Sequence, residues 1–523
     1  MSLTSVYFLI FCIIFVPVYY LVPKKIQWCV LLAASLVFYA FGDLTNIFYV
    51  LFVSGLAYIS TLLIAQCTKK QKTYLADNKN LLSRDEKKAY KESVKKQKKK
   101  YMLAAVLGNI VLLLFFKLLP IANSVFSIKS INFADIIIPL GLSYYTLQTM
   151  GYIIDVYWGN VEAESNYLKL LLFVSFFPQV TQGPISDFKQ LSSELFSEHN
   201  FLYENYSRGF QRLVWGFFKK LIIANKAIGY VLFLYESYDS LSGLTLLLGA
   251  FLAMLQLYAD FSGYMDIVCG LCEILDIKLP ENFNRPFISK SLSEFWRRWH
   301  ITLGIWFKKY VFFTVGTSRF SKRLLNGIKE KGGNTVAENA VSTVALVSIW
   351  FLIGVWHGIN LPYILWGLIT GAIMIASVWL TPFYSKIKKL LSINDNSKPL
   401  AVFGIIKTFI LVSILEVFSD AGSLADGTGY IIKMISSFWV FPKSLNELFP
   451  YVGAINDFYM VSFGLAAVIA VDLIGIKKDI RTCFSKVPAV IRSILLACAV
   501  FVILVVGIQE VISIEGGFMY ANF

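Results

Sequence analysis

Three histidines, His199, His300 and His357, are the whole imidazole complement of this 523-residue chain. Histidine is the side chain best suited to moving a proton near neutral pH. His357 ends a long apolar run, in the string Ser348-Ile-Trp-Phe-Leu-Ile-Gly-Val-Trp-His357-Gly-Ile-Asn360. An ionisable group inside so apolar a stretch is expensive to hold, and by default it marks function. A satisfied core histidine is the plain alternative. Gly354, Trp356 and Gly358 argue against it, because they allow close backbone approach and stacking around the imidazole. No serine stands in a Gly-x-Ser-x-Gly context, and the three histidines lack metal-ligand spacing. A general base is therefore the simplest role for His357.

The densest concentration of unusual residues runs from Asp260 to Lys309. It opens with YADFSGYMD at Tyr258–Asp266, where Asp260 and Asp266 are six apart and fall on different faces of a regular helix. Ser262, Gly263 and Tyr264 between them point to a kink or a close backbone approach. Two acids at membrane depth need partners: Arg or backbone donors if they are structural, a histidine if one of them serves catalysis. PENFNRPF at Pro280–Phe287 excludes a regular helix. SLSEFWRRWH at Ser291–His300 then opens with a capping box at Ser291 or Ser293. On a helix Trp296 and His300 share a face, as do Phe295 and Trp299. Arg297 and Arg298 among these aromatics suit a phosphate, a carboxylate or a helix C-terminus, the alternative being an interfacial aromatic-basic belt.

These residues sit in a chain that is 57% hydrophobic and only 15% charged, with a mean hydropathy of +0.64. A soluble domain carries about 25% charge. The class is all-α polytopic membrane protein. Apolar runs long enough to consider as spans are 5–22, 27–41, 46–66, 101–119, 134–157, 168–183, 210–235, 243–275, 301–316, 338–356, 360–380, 401–418, 427–441, 457–476 and 489–511. About a dozen should cross, at about 20 residues each, with the shorter ones re-entrant or interfacial. The first run lacks a basic leader region and ends in Pro23-Lys24-Lys25, so it reads as a retained helix.

The net charge of +15 does not indicate nucleic acid, because the basic residues cluster in short segments between apolar runs. Cys67–Lys100 is the densest of these segments and reads as a basic cytoplasmic loop, within which 82–100 can form a polar helix near anionic headgroups. Lys308–Lys331, Lys386–Lys398 and Lys477–Lys486 should lie on the same side. The seven cysteines form no disulfide framework, and Cys269-Leu-Glu-Cys272 lacks the second pair a metal site would need. P-loop, GxGxxG and HExxH strings are absent, no repeat stands out, and one membrane-embedded domain covering 1–523 is expected.

Four strings carry a family resemblance: FPQVTQGPI (Phe177–Ile185), YADFSGYMD, PENFNRPFISKSLSEFWRRWHITLGIWFKKYVF (Pro280–Phe313) and FLIGVWHGIN (Phe351–Asn360). Together they resemble the signature run of the membrane-bound O-acyltransferases, with a core at about 138–370. The segments 8–43 and Ile138–Gly159 are similar to the bacterial alginate O-acetyltransferase-like branch. The resemblance implies a ring of tilted helices around a thinned centre, with a channel reaching the catalytic histidine from both membrane faces. That histidine maps to His357, and the second hallmark histidine to His300. The chain departs from the branch at Lys309, where an acid is usual, at Trp158, and at Phe418-Ser419-Asp420-Ala421, which lacks the arginine of an FFRA-like string.

The reaction so implied is acyl transfer, with an acetyl group expected, from a cytoplasmic thioester to a hydroxyl of an extracytoplasmic polysaccharide or cell-wall glycan, directly or through a relay protein. The setting would be a bacterial plasma membrane and its lipids. The thioester, acetyl-CoA or an acyl carrier, is a co-substrate; no bound cofactor or metal is expected. A relay or acetyltransferase subunit would be a separate polypeptide. His357 and His300 are the expected catalytic residues, His300 on the donor side, and Trp296, Arg297, Arg298, Asp260, Asp266, Trp356 and Asn360 are expected along the substrate and donor channel. Trp296, Asn360 and backbone amides near Gly354 are candidate oxyanion donors. The rival within the family is D-alanyl transfer from a carrier protein toward teichoic acid. Rivals of other classes are a glycan or lipid transporter and a structural anchor for a secreted enzyme; the absent inverted repeat and the intact His357 setting weigh against them.

Overall fold

The computed structural model describes residues 3–126, 139–394, 397–442, 454–476 and 479–513. Every regular element in them is helical. The chain forms two compact units, one of residues 1–209 and 271–280 and one of residues 210–270 and 281–523.

The first unit contains α1 (Val6–Leu21), α2 (Gln27–Gly42), α3 (Thr45–Asp77), α4 (Arg84–Phe126), α5 (Leu142–Trp158), α6 (Tyr167–Ser175), the single turn α7 (Phe177–Val180) and α8 (Phe188–Leu195). Polar caps set the starts of several: Ser5 Oγ accepts the Phe8 N–H at 3.2 Å, and Asp187 Oδ1 accepts that of Gln190 at 2.8 Å. The Cys67–Lys100 segment is helical on both sides of a short turn, because α3 runs on to Asp77 and α4 starts at Arg84. The polar helix expected at 82–100 is therefore present, but it does not lie as a separate element on the headgroups. Its turns continue the axis of an apolar helix, and the 36 residues Arg84–Leu119 measure about 54 Å against a hydrocarbon core of about 30 Å.

The second unit contains α9 (Tyr203–Phe217), whose first turns belong to the first unit, α10 (Asn225–Glu236), α11 (Gly243–Ile274), α12 (Leu292–Arg298), α13 (Ile301–Phe307), α14 (Phe313–Gly316), α15 (Arg319–His357), α16 (Leu361–Leu390), α17 (Lys398–Asp420), α18 (Leu424–Ser436), α19 (Ala454–Ile474), α20 (Ile480–Ser485) and α21 (Ala489–Ser513). A π-helical turn at Phe218–Ala224 joins α9 to α10. Gly333, at φ 79°, breaks the helical path of α15 and leaves its apolar half as a separate rod ending at His357.

Nine helices among the described residues are long and apolar enough to cross a membrane, fewer than the dozen expected. The physical reasons differ by segment. The 168–183 run breaks after α6, and 301–316 is divided among α13, a π turn and α14. The 210–235 run is helical throughout, but Arg212, Lys219, Lys220 and Lys226 make it too polar to count. For the 134–157 run, residues 134–138 lie outside the described residues, as do Lys477 and Lys478 of the last basic segment.

Two backbone approaches position the site. Helix α11 runs unbroken through Ser262–Tyr264; instead Gly263 meets Gly216 of α9, where an added Cβ on Gly216 would lie 2.7 Å from the Gly263 carbonyl oxygen. Close approach, the other option for this string, is what its small residues provide. Likewise α15 and α16 cross where a Cβ on Gly354 would lie 2.7 Å from the Tyr363 carbonyl oxygen, and one on Gly367 would collide with the Trp350 carbonyl. Gly367→Leu is accordingly expected to destabilise the protein by about 1–3 kcal/mol. A lowered thermal unfolding midpoint in detergent, together with lost transfer activity, would register it; an unchanged midpoint would mean the two helices can part freely.

Candidate active site

His357 is the last residue of α15 and is 7% exposed. Three aromatic rings hold it: Trp356 edge-on at 4.9 Å, Trp366 edge-on at 5.3 Å and Tyr363 stacked at 6.1 Å. Trp366 and Tyr363 come from α16, so the glycine-mediated crossing of α15 and α16 fixes the imidazole. Beside it opens a cavity of about 550 Å³, whose lining includes Trp296, Arg297, His300, Lys308, Trp350, His357, Trp366 and Glu416. The sequence motifs around His300 and His357 thus meet in one cavity.

His300 reaches that cavity by a route the helical pattern did not foresee. Helix α12 ends at Arg298, Trp299 is extended, and His300 takes a left-handed backbone at φ 46°. Trp296 and His300 therefore do not share a helical face. The reason lies in the PENFNRPF segment, which docks on the break: Ile301 N–H donates to the Asn282 carbonyl at 3.0 Å and Asn284 N–H to that of Arg298 at 2.9 Å. Asn282 Oδ1 receives the Thr302 N–H at 3.1 Å and hydroxyl at 3.0 Å, and lies 3.2 Å from His300 Nδ1. Those side-chain bonds replace the ones α12 would have gained by continuing. The cap at the start of α12 is Ser291, whose Oγ accepts the Glu294 N–H at 3.2 Å. Phe295 and Trp299 stay stacked at 5.5 Å despite the break.

His300 lies outside the spanning helices. Burial, followed by the charge His357 would carry, holds its imidazole well below the usual 6.5. The unfolded chain takes up this proton as pH falls through about 6.5, whereas the folded chain does not, so the neutral ring favours the fold above that pH and this contribution is lost as pH drops below it. Thermal unfolding of the wild type between pH 8 and pH 5 should show a downward drift that His300→Gln reduces. Parallel curves for the two proteins would contradict the assignment.

Arg297 lines the cavity, with one guanidinium nitrogen on Ser293 Oγ at 3.0 Å. Arg298 is used within the fold: it donates to Glu294 Oε1 at 3.0 Å and to the Asn284 carbonyl at 3.0 Å. Trp296 presents a buried indole N–H that has no hydrogen-bond acceptor among the described residues. Trp356 packs between the imidazoles, 6.1 Å from His300 and 4.9 Å from His357. Asn360 is exposed and caps α16, its Oδ1 accepting the Tyr363 N–H at 3.2 Å, and it is not part of the cavity lining.

The two acids of α11 sit with basic residues. Asp260, 1% exposed, pairs with Lys220, and Asp266 pairs with Lys219 at 2.7 Å and with Arg212 at 2.9 Å. Asp266 also faces a separate cavity of about 960 Å³ bounded by Arg212, Glu281 and Arg285. Lys219 and Lys220 escaped the sequence reading. Consecutive in sequence and both buried, they lie on the π turn that joins α9 to α10. Two adjacent lysines inside the apolar 210–235 run were the available signal. Glu416, an acid in the apolar 401–418 run, was missed for the same reason and lines the cavity of the histidines. Asp420, which stands where the FFRA-like string has arginine, receives the Tyr235 hydroxyl at 3.4 Å.

His199 belongs to the first unit. Its Nε2 lies 2.7 Å from the Glu194 carbonyl and its backbone N–H donates to Gln27 at 3.0 Å, the pattern of a satisfied structural histidine. All seven cysteines are free thiols, with Cys269 and Cys272 buried.

The family description "membrane-bound O-acyltransferase" matches residues 161–329. A probable alginate O-acetylase of Pseudomonas syringae pv. tomato is 30% identical over 423 residues, covering 79% of this chain and 70% of that protein. A peptidoglycan O-acetyltransferase of Helicobacter pylori is 30% identical over 303 residues, 52% of this chain and 54% of its own. A teichoic acid D-alanyltransferase of Bacillus subtilis is 30% identical over 239 residues, 45% of this chain and 58% of its own.

Proposed function

This chain belongs to the membrane-bound O-acyltransferase family, and as a multi-pass membrane acyltransferase, we propose, it moves an acetyl group from a cytoplasmic thioester to a hydroxyl of an extracytoplasmic polysaccharide in a bacterial plasma membrane. The observation that carries this is the convergence of His357 and His300, from separate motifs, on one aromatic-walled cavity. The relatives named as alginate and peptidoglycan O-acetyltransferases favour acetyl and a glycan.

In the proposed reaction an imidazole nitrogen of His357 takes the proton of the acceptor hydroxyl as its oxygen attacks the thioester carbonyl carbon. The new C–O bond forms, the tetrahedral oxyanion collapses, and the C–S bond breaks. The imidazolium returns its proton to the departing thiolate, so ester and thiol leave and His357 is neutral again. The Trp296 indole N–H, buried in the wall of this cavity, is the oxyanion donor in this reading. Arg297 and Lys308 give the cavity positive charge suited to the phosphates of coenzyme A or of a carrier's phosphopantetheine. His300, kept neutral, lines the donor path. The acceptor hydroxyl belongs to the glycan itself or to a relay protein that passes the group on.

D-alanyl transfer from a carrier protein is the second reading, favoured by the D-alanyltransferase relative. Cells carrying wild-type protein or His357→Ala at equal membrane abundance separate them. Esters released from the surface glycan with mild base and identified by mass spectrometry should show acetate lost only in the mutant. Lost D-alanine would establish the second reading, and no change in any ester would overturn both.

A further inference from the structure

We propose that Glu416 makes this cavity an acceptor site for a polyol, a carbohydrate that presents a second hydroxyl beside the one to be acylated; this rests on His357 as the base in the same cavity. Glu416 projects from α17, is 8% exposed, and shares the cavity lining with His357 and His300. Its Oε1 accepts the Ser419 hydroxyl at 2.7 Å. The Trp366 indole also lies beside this carboxyl group, and a carboxyl group keeps acceptor capacity beyond these two neighbours. Holding an acid within an apolar helix is expensive, and such a residue is by default retained for what it binds.

The rest of the lining says what that partner is. Trp296, Trp350 and Trp366 pack as a cluster, with ring centroids 5.0 to 6.2 Å apart. Flat apolar walls with a few placed polar groups are how a pocket orients an amphipathic ligand, and a sugar ring is one. The positive groups, Arg297 and Lys308, suit the anionic donor, which a carboxyl group does not. Glu416 therefore serves the other substrate. A hydroxyl donating to Glu416 would fix the ring so that its neighbour meets His357, which makes Glu416 a determinant of acceptor specificity.

The test uses the full chain in proteoliposomes with labelled acetyl-CoA as donor and two acceptor probes, methyl glucoside and 2-propanol. Wild type should prefer methyl glucoside. Glu416→Ala should raise the KM for methyl glucoside about 3- to 10-fold, the range for losing a hydrogen bond, without raising that for acetyl-CoA or 2-propanol. Glu416→Gln, which keeps the volume and one acceptor oxygen, should recover part of the loss and controls for misfolding. An unchanged methyl glucoside KM in both variants, an equal rise for both acceptors, or a rise for acetyl-CoA would overturn the proposal. So would an effect seen only with an aminoacyl thioester, since Glu416 would then bind the donor's ammonium. His357→Ala reports separately: retained turnover there removes the base, whereas the acceptor KM of the Glu416 variants reads the polyol site.

Discussion

His357→Ala should lower acyl transfer about 10²- to 10⁴-fold, the usual contribution of a positioned general base. The ring ends α15 and is held by Trp356, Tyr363 and Trp366. Its loss leaves a small hole in a shell set by the α15–α16 crossing, so abundance and unfolding midpoint should change little relative to the loss in rate. His357→Gln is the sharper variant. It preserves much of the volume and a hydrogen-bonding group but cannot take a proton, so its activity should fall with that of His357→Ala. The measurement is initial rate of transfer in proteoliposomes at saturating donor. Either variant retaining more than about a third of wild-type rate would remove His357 from the chemistry, because no general-base contribution is that small.

Lys220→Ala should be the most damaging change to the fold. It would leave the Asp260 carboxylate, 1% exposed, without its ammonium partner. Removing one member of a buried pair typically destabilises by about 3–5 kcal/mol, because the remaining charge stays desolvated. Asp260→Leu with Lys220→Met removes both charges and should recover much of that loss, since apolar replacement of a buried pair is often neutral or favourable. Thermal unfolding in detergent of the single and double variants gives the comparison. A single variant as stable as wild type would show that the pair does not anchor α11 to the α9–α10 helix. A double variant that stays folded yet inactive would instead give Asp260 a part in the reaction.

The histidine pair shows how far sequence reasoning reached. Each of His300 and His357 was identifiable because a protonatable group among tryptophans and glycines has few structural explanations. Their meeting in one cavity was not visible in spacing, since 57 residues and two helix breaks separate them. The helical reading of SLSEFWRRWH failed at its last two residues for a tertiary reason. Asn282, eighteen positions upstream of His300, offers Nδ1 and Thr302 an acceptor that a continued α12 does not. Asn360 ran the other way: a polar residue beside the key histidine looked catalytic, and the start of α16 claimed it as a cap.

Composition and periodicity by themselves determined that this chain is a bundle of membrane helices, because apolar runs of spanning length have no other stable form where water is absent. They also determined which residues were too expensive to be incidental. Only the tertiary structure decided which of those residues share a site. Asp260 and Asp266 went to lysine and arginine on the neighbouring helix, Arg298 to a local acid, and Arg297, Trp296 and both histidines to the cavity. Buried polar groups must find partners, and the partner is whichever group packing brings within reach. That selection depends on helix crossings such as those at Gly216–Gly263 and Gly354–Gly367, which no single helix encodes.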